Sequence, residues 1–457
     1  MAQPLKVLIN AQIPPGGKWG GVEQFLMGLV YALGRLADGE ERYTLITLPE
    51  SPDWLRSLMG SNQRIVVAPQ PKIAPLIQPK QLLGPLRRPA GKLLRRVRRI
   101  AFRGASGYAL PQSEGFYESL GGDIMHFPFQ EFIRSRIPSI YNPWDLQHLY
   151  YPKFFSANDM AVRETVFPGA CHSARAVVAP SCAVKGDLQR HYGLDPQKIF
   201  VIPCAPPAAL YEDIPNEAAD EVRKRFRLPD LFAFYPAQTW PHKNHLRLLE
   251  ALHLIRERNG VRLNLVCTGR KNEHWPAISR RIDELGLQTQ VIFPGFVSPR
   301  ELRALYRLAQ FVVYPSFFEG AGLPVMEALY EDVAVACSDI PPLREYGGDA
   351  VMTFDPLSVE SMAASLLLIS SDDALREQLR ARGRERARLF TWERTGKTYR
   401  ALYRQVAGVA MSEEDLQLLT SDNLLTMQCA ATPGHSTAKE MIESAKQPQA
   451  ATPPGEG

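Results

Sequence analysis

The densest group of residues that could do chemistry lies at positions 315–329, in the string PSFFEGAGLPVMEAL. The β-rich run QFVVY precedes it, and the proline after the second glycine suits the first turn of a helix. Gly320 and Gly322 have no Cβ and would let the backbone approach a ligand closely. The unpaired amides of Gly322 and Leu323, at the helix start, would attract a phosphate or sugar oxygen. The string therefore predicts a ligand-binding loop between a strand and a helix.

Two carboxylates flank this loop. Glu319 precedes the predicted helix, and Glu327 lies about one turn inside it. If the loop folds back, both side chains can accept hydrogen bonds from the hydroxyls of one ligand. In the structural alternative, Glu319 caps the helix and Glu327 is an ordinary solvated carboxylate. The combination of both acids with the two glycines favours a binding site.

The string EGAGLPVMEAL resembles the E-x7-E signature of retaining GT-B glycosyltransferases of family 4, the group 1 glycosyl transferases. The resemblance extends over about residues 5 to 410, because further similar segments follow in the order of the family. They are KWGGVEQF, DIMHFP, PSCAVKGDL, PHKNHLRLLEAL, GFVSPRELRALYRLAQFVVYPS and GGDAVMTFDP. The segment FTWERTGKTYRALY is similar to the family's helix that crosses back onto the first domain.

The resemblance implies a role for each matching residue of a donor site. Glu327 would bind the nucleotide ribose, Glu319 would contact the donor sugar near the reacting carbon, and Lys243 would neutralise the donor diphosphate. A lysine and a helix N-terminus can stabilise the departing charge, so we expect no metal and no cofactor. The alternative for Lys243 is a solvated lysine. Gln238 departs from the family's commoner arginine. The implied donor-binding set is Gly20, Gly21, Gln238, Lys243, Gly320, Gly322, Leu323 and Glu327.

A second catalytic candidate beside Glu319 is His126, which ends the run DIMH. The family often has a histidine here that faces the donor sugar, and a packed histidine beneath the site is the equal alternative. After the fifth run the family's His-Asp pair is replaced by Trp144 and Asp145. Trp144 cannot exchange protons, so His148 is a candidate substitute. We assign Asp145 and His148 to the acceptor side.

Short β-rich runs alternate with helix-length segments along the chain and must position these residues. The runs are LKVLIN, RYTLITLP, RIVVAP, DIMHFP, SIYNPWD, RAVVAPS and KIFVIP, then, after a proline-rich stretch, LFAFYPAQ, RLNLVCTG, QVIFPGFV, QFVVYPS and VAVACSD. This alternation predicts an α/β protein with two doubly wound parallel-sheet units, which bind ligands beyond the carboxyl ends of their strands. The resemblance implies the GT-B architecture, two Rossmann-like domains facing a cleft.

These patterns set the predicted domain boundaries. We expect an acceptor-side domain over residues 1–205 and a nucleotide-sugar-binding domain over residues 206–390. A crossover helix over residues 391–411 would pack on the first domain. Residues 412–457 are rich in Ser, Thr, Pro, Gln and Ala and are predicted to be a disordered tail.

The composition of the 457 residues, 45% hydrophobic and 22% charged, is that of a globular protein and excludes a collagen-like or wholly disordered chain. The six cysteines are scattered without a CxxC pair, which indicates reduced thiols and gives no support for zinc. We find no signal-peptide pattern and no apolar run of ~18 residues. We therefore expect a cytoplasmic protein without a membrane-spanning segment.

Positive charge is concentrated in residues 87–103, which carry eight basic residues and no acid. As a helix, this stretch would place its apolar side chains on one arc and its basic ones on the other. Such a helix can lie on an anionic membrane surface. Its candidate membrane contacts are Arg95, Arg96, Arg98 and Arg99. A helix packed on its own domain is the alternative, and nucleic acid is disfavoured because no aromatic stacking platform accompanies the arginines.

The resemblance thus implies a hexosyltransferase that moves a sugar from a nucleotide-sugar to a glycan or lipid-linked acceptor with retention of configuration. Cell-surface polysaccharide assembly is the expected setting, and GDP-mannose or a UDP-sugar is the expected donor. Trp144 and Gln238 motivate a different interpretation, a catalytically weak GT-B-fold binding subunit of a glycan-assembly complex. A sugar-nucleotide epimerase or glycan phosphorylase is disfavoured, since no cofactor-lysine constellation is evident.

Overall fold

The computed structural model describes residues 3–17, 19–69, 109–211 and 215–420, which fold into two compact units. Unit 1 takes its described residues from Met1–Ala179, Val184–Ile202 and Gly396–Thr420. Unit 2 takes its described residues from Pro180–Ala183 and Pro203–Thr395. Unit 1 is therefore completed by a segment from much later in the chain.

Seven strands in the described part of unit 1 form a parallel sheet. They are β1 (Lys6–Asn10), β2 (Arg42–Thr47), β3 (Gln63–Val67), β4 (Ile124–Phe127), β5 (Ser139–Tyr141), β6 (Ala176–Ala179) and β7 (Ile199–Val201). The spatial order is β3-β2-β1-β4-β5-β6-β7, with Val7 paired with Tyr43 on one side and with Ile124 on the other. The strand order reverses between β1 and β4, and ligands of such folds bind at the carboxyl ends of the strands there.

Helices flank this sheet. They are α1 (Gly21–Arg35), α2 (Phe116–Ser119), α3 (Gln147–Tyr150), α4 (Ala157–Ser173) and α5 (Cys182–Tyr192). α1 buries Phe25, Leu29 and Leu33 at helical spacing. α4 begins with a capping box between Ser156 and Asp159.

Unit 2 repeats the plan with six parallel strands in its described part. They are β8 (Ala233–Pro236), β9 (Leu265–Thr268), β10 (Val291–Gly295), β11 (Phe311–Tyr314), β12 (Val335–Ser338) and β13 (Val351–Phe354). The order β10-β9-β8-β11-β12-β13 reverses between β8 and β11. This reversal brings the loop after β8, which carries Lys243, beside the loop after β11, which carries Glu319. The predicted pair of doubly wound α/β units is confirmed.

Eight α-helices lie wholly within the described part of unit 2. They are α6 (Asn216–Phe226), α7 (His245–Asn259), α8 (Trp275–Glu284), α9 (Pro299–Leu308), α10 (Leu323–Tyr330), α11 (Pro341–Gly347), α12 (Val359–Ser371) and α13 (Asp373–Ala387). α9 starts with a capping box between Ser298 and Glu301. α10 has a proline in its first turn, as the sequence predicts.

Two further helices follow, α14 (Trp392–Ala407) and α15 (Glu413–Leu419). From Gly396 onward α14 belongs to unit 1 and packs closely on α1, since a Cβ on Gly396 would lie 2.8 Å from the Cβ of Ala32. Arg400 pairs with Asp38 at 2.5 Å, and Arg404 pairs with Glu41 at 2.7 Å. These contacts fix the second half of α14 to unit 1.

The prediction of a disordered tail over residues 412–457 is wrong for residues 412–420. Ser412 and Asp415 form a capping box at the start of α15, and Asp415 is buried. Its carboxylate pairs with Arg404 at 2.7 Å, which ties α15 to α14. The remainder, residues 421–457, lies outside the described residues.

Candidate functional site

An ion pair between Lys243 and Glu319 lies at the carboxyl edge of β8 and β11 in unit 2. Lys243 ends a short 3-10 turn before α7, and Glu319 lies in the loop between β11 and α10. Lys243 Nζ is 2.7 Å from Glu319 Oε1, and the two side chains are only 15% and 12% exposed. Because partial burial reduces screening, the two charges attract each other more strongly than a surface pair would. The alternative of a solvated Lys243 is therefore wrong.

Two tyrosines that are not among the predicted site residues hold this lysine. Lys243 Nζ donates to Tyr314 Oη at 2.8 Å, and Tyr235 Oη donates to the Lys243 carbonyl at 2.5 Å. Burial raises the pKa of Tyr314 well above its usual value of 10, and the nearby Glu319 carboxylate raises it further. Tyr314 therefore stays a neutral phenol beside the ion pair. Its only sequence signal is its place at the end of a strand, directly before the loop.

Asn244 fixes the turn that carries the lysine. Its backbone adopts the left-handed conformation, with φ of 60°, which asparagine tolerates better than most residues. Its side-chain amide donates to the carbonyls of Pro315 and Pro356, both at 2.9 Å. The buried amide thus ties the loop after β8 to the loop after β11.

Glu327 is a buried carboxylate on α10, with 8% of the residue exposed. Its Oε2 accepts a hydrogen bond from Tyr306 Oη of α9 at 2.9 Å. Burial raises the pKa of Glu327 from its usual value of 4.5 to about 7, and the charge of Glu331 adds to this rise. The alternative of a solvated Glu327 is wrong. Glu319 is not the N-cap of α10, which is Gly322, and its carboxylate pairs with Lys243.

The glycines of the loop serve packing as well as access. The Gly320 carbonyl accepts a hydrogen bond from Ser181 Oγ at 2.8 Å. A Cβ on Gly322 would lie 3.1 Å from the Cβ of Tyr346, so a side chain there would press against α11. Leu323 is the first residue of α10, and the helix N-terminus therefore stands at the loop, as predicted.

Gln238 follows β8 at the same sheet edge. Its Oε1 accepts a hydrogen bond from Trp240 Nε1 at 3.1 Å, which orients the amide. Close behind it lies Gly269, with φ of 123°, where a Cβ would stand 2.5 Å from the Ala237 carbonyl oxygen. Only glycine fits at position 269. No pattern near position 269 marks this glycine, which lets the loops after β8 and β9 approach each other.

In unit 1, Gly20 and Gly21 lie at the start of α1, where Gly20 has φ of 53°. The preceding loop is held by Glu23, a residue that the sequence analysis did not select. Its two carboxylate oxygens accept hydrogen bonds from the amides of Gly16 and Gly17, at 2.9 and 2.8 Å. Glu23 thus places a carboxylate where the resemblance implies donor phosphates.

His126 is fully buried in unit 1, with no exposed surface. Its Nδ1 lies 2.8 Å from Tyr403 Oη, and its Nε2 lies 3.0 Å from Asn142 Oδ1. Asn142 Nδ2 in turn donates to Tyr399 Oη at 2.7 Å. Burial lowers the pKa of His126 to about 4, so the imidazole is neutral. Both ring nitrogens are engaged within unit 1, which favours the packed alternative, and the catalytic role of His126 stays a prediction.

Trp144 occupies a strained backbone position after β5, with φ of 69°, which is rare for a bulky residue. Its Nε1 donates to the Pro128 carbonyl at 2.8 Å, and its ring packs edge-on against Phe25 at 4.7 Å between centroids. Asp145 Oδ1 accepts from the Gln147 amide at 2.9 Å in a turn that leads into α3. These contacts give Trp144 a packing role in this loop.

His148 is the candidate substitute for the family histidine. It is fully buried and packs edge-on against Phe167, with 5.2 Å between ring centroids. Burial lowers the pKa of His148 to about 4, so it is a neutral core residue. This burial favours a packing role, and the assignment of His148 to the acceptor side stays a prediction.

The remaining predicted contacts, Arg95, Arg96, Arg98 and Arg99, lie outside the described residues. Over the described ranges, no group of three or more His, Cys, Asp or Glu side chains is arranged to hold a metal ion. Within the same part of the chain, every helix is too short or too polar to cross a bilayer.

The two parallel-sheet units, each of Rossmann type, define the GT-B fold of glycosyltransferases. Two solved structures share this fold. Sucrose-phosphate synthase from Thermosynechococcus elongatus superposes with a TM-score of 0.63 at 19% identity, covering 88% of this chain and 99% of that one. Anabaena HepE in complex with UDP-glucose gives a TM-score of 0.61 at 16% identity, covering 88% and 98%. At such identities the likeness concerns the fold.

Residues 218–386 match the family described as Glycosyl transferases group 1, and they include Lys243, Glu319 and Glu327. The resemblance to the group 1 glycosyl transferases is therefore confirmed over these residues. The chain is also 27% identical over 249 residues to O-antigen chain mannosyltransferase B of Escherichia coli. That match covers 54% of this chain and 65% of the relative, so the chain spans just under two thirds of the relative's length.

Proposed function

We propose that the chain is a glycosyltransferase that moves a sugar from a nucleotide-sugar to a glycan or lipid-linked acceptor. The observation that carries the proposal is the Lys243–Glu319 ion pair at the point where strand order reverses in unit 2. Ligands of doubly wound sheets bind at this point. The family match over residues 218–386 supports the assignment, since it spans the whole site.

Each charged group of the site has a separate task in the proposed reaction. Lys243 balances the negative charge that develops on the departing diphosphate, and the α10 N-terminus adds its dipole to that stabilisation. Glu327 accepts hydrogen bonds from the ribose hydroxyls. Glu319 contacts the hydroxyls of the donor sugar near the reacting carbon. The reaction proceeds with retention of configuration and without a metal ion.

The similar proteins support the donor and the setting that we propose. The relative from Escherichia coli is named an O-antigen chain mannosyltransferase, which supports a mannose donor, GDP-mannose, and polysaccharide assembly at the cell surface. The HepE structure holds UDP-glucose, so a UDP-sugar is the second donor class to test. The protein acts in the cytoplasm in this proposal. The basic residues 87–103 bring it to an anionic membrane surface, where a lipid-linked acceptor resides.

A donor-hydrolysis screen tests the proposal and identifies base and sugar together. The purified chain is incubated with GDP-mannose and with UDP- and ADP-sugars, and free nucleoside diphosphate is measured. We expect one donor to be consumed, and Lys243→Met to lose that activity. Glu377→Gln is the matched control, because Glu377 is an exposed, ion-paired acid on α13. Absence of turnover and of binding with every donor would overturn the proposal.

A catalytically weak binding subunit is the second candidate function. It is favoured by Trp144, which fills the place of the family's histidine in a strained conformation, and by Gln238, which lacks the arginine's charge. Donor binding without hydrolysis or transfer, together with stable co-purification of an active glycosyltransferase, would select this function over catalysis.

A further inference from the structure

We propose that Glu319 is an internal competitor for the diphosphate site. Its carboxylate binds the ammonium group of Lys243 and must be displaced before a diphosphate can bind there. This competition makes the chain select a nucleotide-sugar over the free nucleoside diphosphate. The inference rests on the proposed function, because it takes Lys243 as the partner of the diphosphate. The inference adds to the proposed function a preference for the substrate over the product.

The geometry of Lys243 makes the competition direct. An ammonium group has three N–H donors, and Lys243 directs one to Glu319 Oε1 at 2.7 Å and one to Tyr314 Oη at 2.8 Å. The backbone of the lysine is held as well, because its carbonyl accepts from Tyr235 Oη. Lys243 therefore cannot move far from Glu319 to meet an incoming phosphate.

A diphosphate that approaches this ammonium comes close to the Glu319 carboxylate. Like charges repel, and the repulsion is weakly screened because both side chains are mostly buried. The carboxylate must then turn away from Lys243, and it loses its ion-pair partner. Leaving a mostly buried carboxylate without a partner costs free energy.

A nucleotide-sugar can offset this free-energy cost with new hydrogen bonds, and a nucleoside diphosphate cannot. The sugar hydroxyls supply new hydrogen-bond donors to the displaced Glu319 carboxylate. After transfer the sugar has left, and the carboxylate competes again for Lys243. The exchange therefore weakens product binding and leaves donor binding intact.

A different role for Glu319 predicts the opposite sign. If Glu319 only holds Lys243 in place for the phosphate, its replacement would release the lysine and weaken nucleoside diphosphate binding. Competition predicts tighter binding after the same replacement. The direction of one affinity change therefore separates the two roles.

The test measures binding of UDP, GDP and ADP, and of the matching nucleotide-sugars, by calorimetry at low salt. For Glu319→Gln we expect the accepted nucleoside diphosphate to bind about tenfold tighter, as for the loss of ~1.4 kcal/mol of competition. The nucleotide-sugar should gain no affinity. In a Lys243→Met background the same substitution should change nucleoside diphosphate affinity less than about twofold. Glu377→Gln should change neither affinity.

A second variant guards against misfolding of the first. Glu319→Asp keeps the charge but shortens the side chain by one methylene, so it should weaken the contact to Lys243 and tighten nucleoside diphosphate binding by a smaller factor. Unchanged or weaker nucleoside diphosphate binding in both folded variants would overturn the competition. If the wild type binds none of the nucleotides, the proposed function fails and the competition fails with it.

Discussion

Replacing Glu327 by glutamine should stabilise unit 2 at alkaline pH, because the buried carboxylate costs stability when it ionises. The pKa of Glu327 is about 7 in the folded protein, against the ordinary 4.5 of an unfolded chain. Between these values the unfolded state binds fewer protons than the folded state, so the free energy of unfolding falls as the pH rises. The cost is absent below pH 4.5 and is fully present above pH 7.

The size of the effect follows from the two pKa values. Their separation corresponds to about 3 kcal/mol at pH 8, and linkage leaves less than about 1 kcal/mol of it at pH 5. Glutamine has nearly the same shape and keeps an acceptor oxygen for Tyr306 Oη. Because glutamine carries no charge, it does not lower the free energy of unfolding at alkaline pH as the ionised carboxylate does. The same substitution should weaken donor binding, because a neutral acceptor forms weaker hydrogen bonds to ribose hydroxyls.

The assay is urea unfolding of the wild type and of Glu327→Gln at pH 5 and at pH 8. Hydrogen exchange of the α10 amides reports on unit 2 separately from unit 1. Glu377→Gln serves as the control for loss of an exposed carboxylate on α13. Equal stabilisation of Glu327→Gln at both pH values, or destabilisation at pH 8, would refute the burial argument.

Three further outcomes are expected. Glu319→Ala should lower kcat of the identified transfer reaction more than it lowers donor affinity, because the partner of Glu319 is the reacting sugar. Steady-state kinetics measures kcat, and calorimetry measures donor affinity. Equal turnover of variant and wild type would show that Glu319 takes no part in the chemistry. His126, with a pKa of about 4, should show ring NMR signals that do not titrate above pH 5, and titration near pH 6.5 would contradict its burial. Changing the arginines at positions 95, 96, 98 and 99 together to glutamine should reduce flotation with anionic vesicles, at ~1 kcal/mol per charge. High salt should mimic that variant, and a wild type that fails to float at low salt would exclude membrane binding.

The local features of the site could be predicted from the sequence, because they depend on neighbouring residues. The strand, the glycine loop and the helix start around Glu319 follow from a β-rich run, two glycines and a proline in the first helical turn. The proximity of Lys243 to Glu319 has no such local origin. It arises because β8 and β11 are neighbours in the sheet, and only the family resemblance indicated this order.

The histidines were harder to assign, because burial is decided by distant parts of the chain. His126 is enclosed by Tyr399 and Tyr403 of α14, and no pattern near position 126 predicts these contacts. The failure to predict helix α15 has a different cause. The capping box between Ser412 and Asp415 is a short-range signal present in the sequence, and the low apolar content of the tail obscured it.

The completion of unit 1 by α14 has a consequence for biosynthesis. The strands of unit 1 are made first, yet Phe25 and Tyr43 lack their partners Tyr399 and Tyr403 until the chain has been translated past residue 403. Residues 203–395 must be made in between, which takes about 10 to 40 seconds at a translation rate of about 5–20 residues per second. During this interval the nascent chain exposes an apolar surface on its first sheet, which is a natural substrate for ribosome-associated chaperones. The order of folding therefore reverses the order of synthesis: unit 2 can close first, and the oldest part of the chain reaches its native state last.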